Sequence, residues 1–144
     1  MHGFPDNAEF RYVGIAVAAA LNTDSNSSRI DMAEYESVTF LTTITDSANT
    51  GVAHLKIEES DDDADTNMAA VTGADATATD AGGDALNGKL LVAGYYKPNK
   101  RYVQAVRAST VANIAFGECL AVLVPKRLPA VQGATVLDTA SVAN

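Results

Sequence analysis

Residues 37–45, SVTFLTTIT, alternate without a break: Val38, Phe40, Thr42 and Ile44 share one parity, and Ser37, Thr39, Leu41 and Thr43 the other. Successive side chains of an extended chain point to opposite faces, and β-branched residues suit a pleated surface, so this run reads as a strand. A second run, VAHLKIEE at residues 52–59, sets Ala53, Leu55 and Ile57 on its apolar parity after the turn-forming DSANTG. The two are expected to pair as an antiparallel hairpin. Residues 88–109 repeat the pattern, with LLVAGYY and YVQAVRA flanking Lys97-Pro98-Asn99-Lys100. Proline presets φ for the second position of a type I or II turn, which again predicts a hairpin.

The rest of the chain adds strands and no long helix. Residues 10–20 carry Val13, Ile15 and Val17 around Gly14 and lean to strand despite three alanines. Residues 114–124, IAFGECLAVLV, are apolar on both parities apart from Glu118, which suits a strand covered on both faces or one at a subunit contact. Pro125 ends that run. NTDSNSS, at residues 22–28, reads as a loop, and residues 29–35 as a short strand or a single turn. Residues 60–84, rich in Asp, Thr, Ala and Gly, read as a long polar loop with a short strand near residues 67–71 and a mobile tip near 74–83. The expected fold is all-β, an antiparallel β-sandwich or jelly-roll-like domain with extended N- and C-terminal arms. Its divisions are an arm at residues 1–9, a sandwich at 10–124 holding the acidic loop 60–84, and an arm at 125–144.

With 144 residues the chain fits one domain. Eighteen acidic residues against ten Lys and Arg, a net charge of −8, leave no basic face for a nucleic-acid backbone. Lys97, Lys100, Arg101 and Arg107 read as a solvated turn. Cys119 is the only cysteine, so no intrachain disulfide forms, and its apolar neighbours predict a buried, inert thiol. The longest apolar run, residues 13–21, is short for a bilayer. The lead-in carries Asp6 and Glu9 in place of a basic start, so neither a membrane span nor signal-directed export is expected.

Material for catalysis is scarce. Asp61, Asp63, Asp65 and Asn67 have the spacing of a calcium loop, but Thr66 stands where the sharp turn wants glycine and Thr72 where a bidentate glutamate belongs, so a solvated acidic turn is expected. His2 and His54 have no partner at a zinc spacing. No nucleophile motif occurs, and Glu58 and Glu59 alternate to opposite faces. The reading is of a non-enzymatic protein with no catalytic residue, cofactor or metal.

YESVTFLTTITD, then AHLKIEESDDDADTNM with Glu59-Ser60-Asp61-Asp62, then GYYKPNKRYVQAVRAS with Lys100-Arg101-Tyr102-Val103, Ala105 and Arg107, resembles small structural proteins of tailed bacteriophages, the capsid decoration or cement proteins. The resemblance covers residues 35–109. It implies a virion protein on the outer surface of the head, made in the host cytoplasm, with the major capsid protein as partner and a homo-oligomer, a trimer favoured. Gripping would fall to the ends of the chain: Phe4, Phe10, Arg11 and Tyr12 at the start, and Arg127, Leu128, Val131, Val136 and Leu137 at the close. The alternatives are a carbohydrate- or receptor-binding module, with Tyr95, Tyr96 and Tyr102 as its aromatics, and a head–tail or tail subunit.

Overall fold

The computed structural model describes residues 3–142. Met1 and His2 of the expected N-terminal arm, and Ala143 and Asn144 of the C-terminal one, lie outside them. A four-residue helix, α1 (Phe4–Asn7), precedes ten strands: β1 (Glu9–Gly14), β2 (Val17–Ala20), β3 (Asp24–Asn26), β4 (Ile30–Asp31), β5 (Tyr35–Ser47), β6 (Val52–Ser60), β7 (Ala69–Thr79), β8 (Leu90–Tyr96), β9 (Tyr102–Thr110) and β10 (Ile114–Pro125). They form two five-stranded antiparallel sheets. Sheet A has the order β1-β10-β5-β8, with β2 beside β10; sheet B has β3-β9-β6-β7, with β4 beside β9. Counting β1/β2 and β3/β4 each as one broken edge strand, the orders become 1-8-3-6 and 2-7-4-5, the arrangement of a jelly roll.

Both expected hairpins are corrected by this topology. β5 pairs with β10 and β8, while β6 pairs with β7 and β9 in the other sheet. β8 and β9 likewise belong to different sheets, so the Lys97–Lys100 segment is an arch across the sandwich. Alternation states which face of a strand is buried and is silent about its neighbour. A connection of a few residues spans the roughly 10 Å between packed sheets as readily as it turns within one. Two expected loops also hold strands. Residues 22–28 supply β3, and residues 60–84 supply the eleven-residue β7. Register with β6 sets Ala74, Ala76 and Ala78 against the core and Asp75, Thr77 and Thr79 outward, beyond an irregularity where Gly73 takes φ +84°.

The two alternating runs face as their sequences require. Val38, Phe40, Thr42 and Ile44, and Ala53, Leu55 and Ile57, are all no more than 1 % exposed. Between the sheets they meet Val103, Ala105, Phe116, Cys119, Ala121 and Leu123.

The core also holds a charge. Arg107, read above with a solvated turn, is 2 % exposed, because it shares the inward parity of Val103 and Ala105. Its Nη1 donates to the carbonyls of Ile15 at 2.8 Å and Gly117 at 2.7 Å. Both carbonyls lie at breaks in the ladder of sheet A, the first between β1 and β2, the second where the β10 register shifts between Phe116 and Cys119. Thr42 Oγ1, 3.2 Å from the Gly117 carbonyl, donates to the same break. Burial without a carboxylate partner pulls the guanidinium pKa below its ordinary value, yet that value is so high that the group stays charged. Gly14 makes room for it: a Cβ there would stand 2.5 Å from Arg107 Nη2.

Asp80 organises the loop between β7 and β8 and is 1 % exposed. Its Oδ1 accepts from the N–H groups of Gly82 at 2.8 Å and Gly83 at 2.5 Å, and its Oδ2 from Ala85 N–H at 3.0 Å and from the Ser47 hydroxyl. The Ser47 hydroxyl first, then these amides, lower its pKa to about 2 from an ordinary 3.8.

Arg107→Ala should cost about 3–5 kcal/mol in urea unfolding, since it opens a cavity and takes a donor from two buried carbonyls, leaving Gly117 with Thr42 alone. Gly14→Ala, which presses on the same guanidinium, should cost about 1–3 kcal/mol. For Asp80 the folded pKa lies below the unfolded one. Its contribution is therefore complete above roughly pH 4 and disappears as the pH falls towards 2. Urea midpoints of the wild type and Asp80→Asn should differ near neutrality and converge over that acid range.

Candidate interaction surface

Strand register lines up a row of apolar side chains on the outer face of sheet A. Tyr12 pairs with Leu120, Leu120 with Leu41 and Leu41 with Val92, so the four cross β1, β10, β5 and β8 in line. Phe10, Val122 and Thr39 form the neighbouring row. Leu120 is 46 % exposed, Val92 49 %, Leu90 59 % and Tyr96 65 %, far from the buried state of a finished core. Among the exposed outward positions of these strands the carboxylates are Asp46, near the end of β5, and Glu118 on β10, whereas half of the chain's 18 acidic residues belong to the sheet B strands or to the turn between β6 and β7. Two copies of an acidic chain meet with least repulsion where such charge is sparse.

Near the β1 edge this face deepens into an apolar groove of about 480 Å³, lined by Phe4, Phe10, Tyr12, Leu41, Leu120 and Val136 among others. The Phe4 and Phe10 rings meet edge to face, 5.4 Å apart. The C-terminal segment forms one wall. Ala130 N–H donates to the Asp6 carbonyl at 2.7 Å. Gln132 Oε1 accepts from Phe10 N–H at 2.9 Å, while its Nε2 donates to the carbonyls of Pro5 at 2.9 Å and Ala8 at 2.8 Å. Tyr12 N–H donates to Thr135 Oγ1 at 3.3 Å. Two side chains thus take the outward donors of β1 and blunt an edge that would otherwise recruit a strand.

Of the contact residues named from sequence, Phe4, Phe10, Arg11, Tyr12 and Val136 come together at this groove. Arg11 is also engaged inward, with Nε 2.8 Å from Glu9 Oε1 and Nη2 2.9 Å from the Tyr35 hydroxyl, which itself donates to Glu9. Arg127 and Val131 line a separate cleft of about 170 Å³, and Leu128 and Leu137 project from the surface. Leu41, Leu120, Val122 and Thr135 were not named. The signal for Leu120 and Val122 lies in β10, apolar on both parities; Leu41 hid among the threonines of β5. Tyr96, one of the three tyrosines named for a binding module, is exposed because it occupies the outward parity of β8.

The acidic turn does not converge on a centre. Asp61 Oδ2 pairs with Lys100 Nζ at 2.6 Å, Asp63 and Asp65 each with Arg29 at 2.5 Å, and Asp62 accepts from Asn67 Nδ2 at 3.0 Å. Among the described residues no group of three or more His, Cys, Asp or Glu could hold a metal ion. His54 Nδ1 lies 3.2 Å from Asp75 and Nε2 3.3 Å from Thr110 Oγ1. Cys119 is fully buried, and burial pushes its thiol up to about 11 against the opposing pull of Arg107, so little thiolate exists near neutrality. No helix among the described residues is long and apolar enough to cross a membrane.

Fold and surface define a class: an all-β jelly roll with one charge-poor apolar sheet face. No protein-family model matches the chain, and no curated protein matches it. Among solved structures, that of the PBSX exported protein XepA matches 99 % of this chain with a TM-score of 0.55 at 15 % identity. The chain spans 46 % of that protein's length. At this identity the likeness is one of fold.

Replacing Gln132 and Thr135 together by alanine should speed hydrogen exchange of the Phe10 and Tyr12 amides by about fivefold or more, with amides of β5 and β9 unchanged. Mass spectrometry of backbone amides reads both.

Proposed function

We propose that this chain is a structural virion protein that decorates the outside of a phage head and stabilises contacts between capsomers. The observation that carries the reading is the in-line row Tyr12, Leu120, Leu41 and Val92 on a face almost free of charge. That face meets other copies of the chain, a trimer being favoured, and the terminal segments around Phe4, Leu128 and Leu137 grip the major capsid protein. The capsid as partner is supported by the resemblance of residues 35–109 to phage decoration proteins. A place on the head surface, outside the host's cytosol in the finished particle, is compatible with the fold being shared with an exported protein. Several copies held together would attach through many weak contacts at once, which suits a repetitive shell.

Leu120→Glu sets a carboxylate in the middle of the row and should lower the oligomer mass measured by light scattering to that of a monomer, with the thermal midpoint of the fold kept. Removal of residues 128–144 should leave the sandwich folded and weaken co-sedimentation with expanded heads by about tenfold or more. Equal binding by the truncated and full chains would refute the gripping role of the C-terminal segment. Particles with and without the protein, compared by electron microscopy, should differ by external knobs.

A further inference from the structure

A second cleft lies at the end of the sandwich, beside the Tyr96 corner of the apolar face, where four chain segments meet. The β4–β5 turn brings Met32 and Ala33 and the start of β5 brings Glu36; the turn after β6 brings Asp61; the arch between β8 and β9 brings Lys97 to Arg101; and Lys126 follows the end of β10. The cleft measures about 670 Å³. Four of the chain's ten Lys and Arg, namely Lys97, Lys100, Arg101 and Lys126, converge on it, although the chain as a whole carries a net charge of −8.

Two of the four are already answered. Lys100 Nζ pairs with Asp61, and Arg101 clamps Asp31 through Nε at 3.0 Å and Nη2 at 2.8 Å. The other two have no carboxylate within ion-pairing distance among the described residues. Lys126 Nζ donates to the Ala33 carbonyl at 2.6 Å, which leaves two of its three donors to spare. Lys97 sits over the Tyr96 ring, 5.3 Å from its centre, a contact that takes no donor. Glu36, the remaining carboxylate on the wall, makes an ion pair with neither. Ammonium groups are compact point charges on flexible stems, and two of them held at one cleft suit a dense dianion better than a single carboxylate.

We propose that this cleft binds a phosphoryl group, with Lys97 and Lys126 as its principal cationic contacts. The paired Lys100 and Arg101 hold the walls and add to the positive potential. The same chemistry is offered by free phosphate and by the headgroup of an anionic lipid. The cleft adjoins the Tyr96 corner of the sheet A face but shares no residue with the row of Tyr12, Leu120, Leu41 and Val92, so it does not depend on the assembly proposed above.

The test uses the full chain. Inorganic phosphate is titrated against it at constant ionic strength and followed by the chemical shifts of the Lys97 to Arg101 amides. Sedimentation with phosphatidylglycerol vesicles is compared with sedimentation with phosphatidylcholine vesicles. Lys97→Gln with Lys126→Gln is the disabling pair, and Lys56→Gln with Lys89→Gln, which removes equal charge elsewhere, is the control; circular dichroism confirms that both are folded. Saturable phosphate shifts in the wild type and the control, weakened about fivefold for each cleft lysine removed, support the site as one for a free anion. Binding to phosphatidylglycerol vesicles alone, with the same dependence on the cleft lysines, supports the lipid source. Absence of both, or equal loss in the control pair, overturns the proposal, and neither result bears on whether Leu120→Glu breaks the oligomer.

Discussion

A guanidinium between two sheets, with carbonyls for partners and no carboxylate, is held only if the backbone around it is shaped to supply oxygens. Arg107 receives them from Ile15 and Gly117, at the two places where the ladder of sheet A is interrupted. The interruption in β10 has a second effect. Before it Ile114 and Phe116 face the core, and after it Cys119, Ala121 and Leu123 do, so one irregularity keeps apolar residues inward along a strand whose parity changes midway. The same change turns Glu118, Leu120 and Val124 outward. Without the arginine and Thr42 to satisfy it, the Gly117 carbonyl would be a buried acceptor left bare. The irregularity that turns Leu120 and Val124 outward is thus satisfied from both sheets, by Thr42 of one and Arg107 of the other.

The two sheets present different surfaces. Sheet B and its β6–β7 turn carry half of the acidic residues, several in exposed ion pairs with Arg29, Lys100 and Arg101 that contribute little stability singly. Sheet A shows aliphatic and aromatic side chains at a groove walled by the chain's own C-terminal segment. The termini are thus tied to each other before they meet any partner: Gln132 bridges Pro5, Ala8 and Phe10. The apolar face, the blunted β1 edge and the two terminal segments therefore lie side by side.

Much of the fold was legible because alternation is a strong signal. Val38 to Ile44 and Ala53 to Ile57 read correctly to the residue, as did Cys119 as a buried thiol. What alternation cannot carry is adjacency, and both expected hairpins failed for that reason. β7 failed on composition: ADATAT has strict period two, but its inward side chains are alanines, too small to register as a core strand until β6 lies beside them. Arg107 failed by its neighbours, since three other cations at residues 97–101 suggested solvent while its own parity, shared with Val103 and Ala105, pointed inward. The interaction face was half visible. β10 was apolar on both parities, a pattern read as full coverage or a subunit contact, and within the chain one of its faces stays open. The groove needed the C-terminal segment to be placed, and no local pattern in residues 129–136 says where they lie.

The pairing of β1 with β10 joins the beginning of the chain to its last strand, through contacts such as Glu9 with Leu123. β10 is also the strand that separates β1 from β5 in sheet A. While the polypeptide is still leaving the ribosome, β1 lacks its partner in sheet A and one long side of β5 is bare until β10 emerges. Sheet A can therefore be completed only after residues 114–125 have been made, a long-range closure of the kind that slows folding and leaves apolar strands exposed meanwhile.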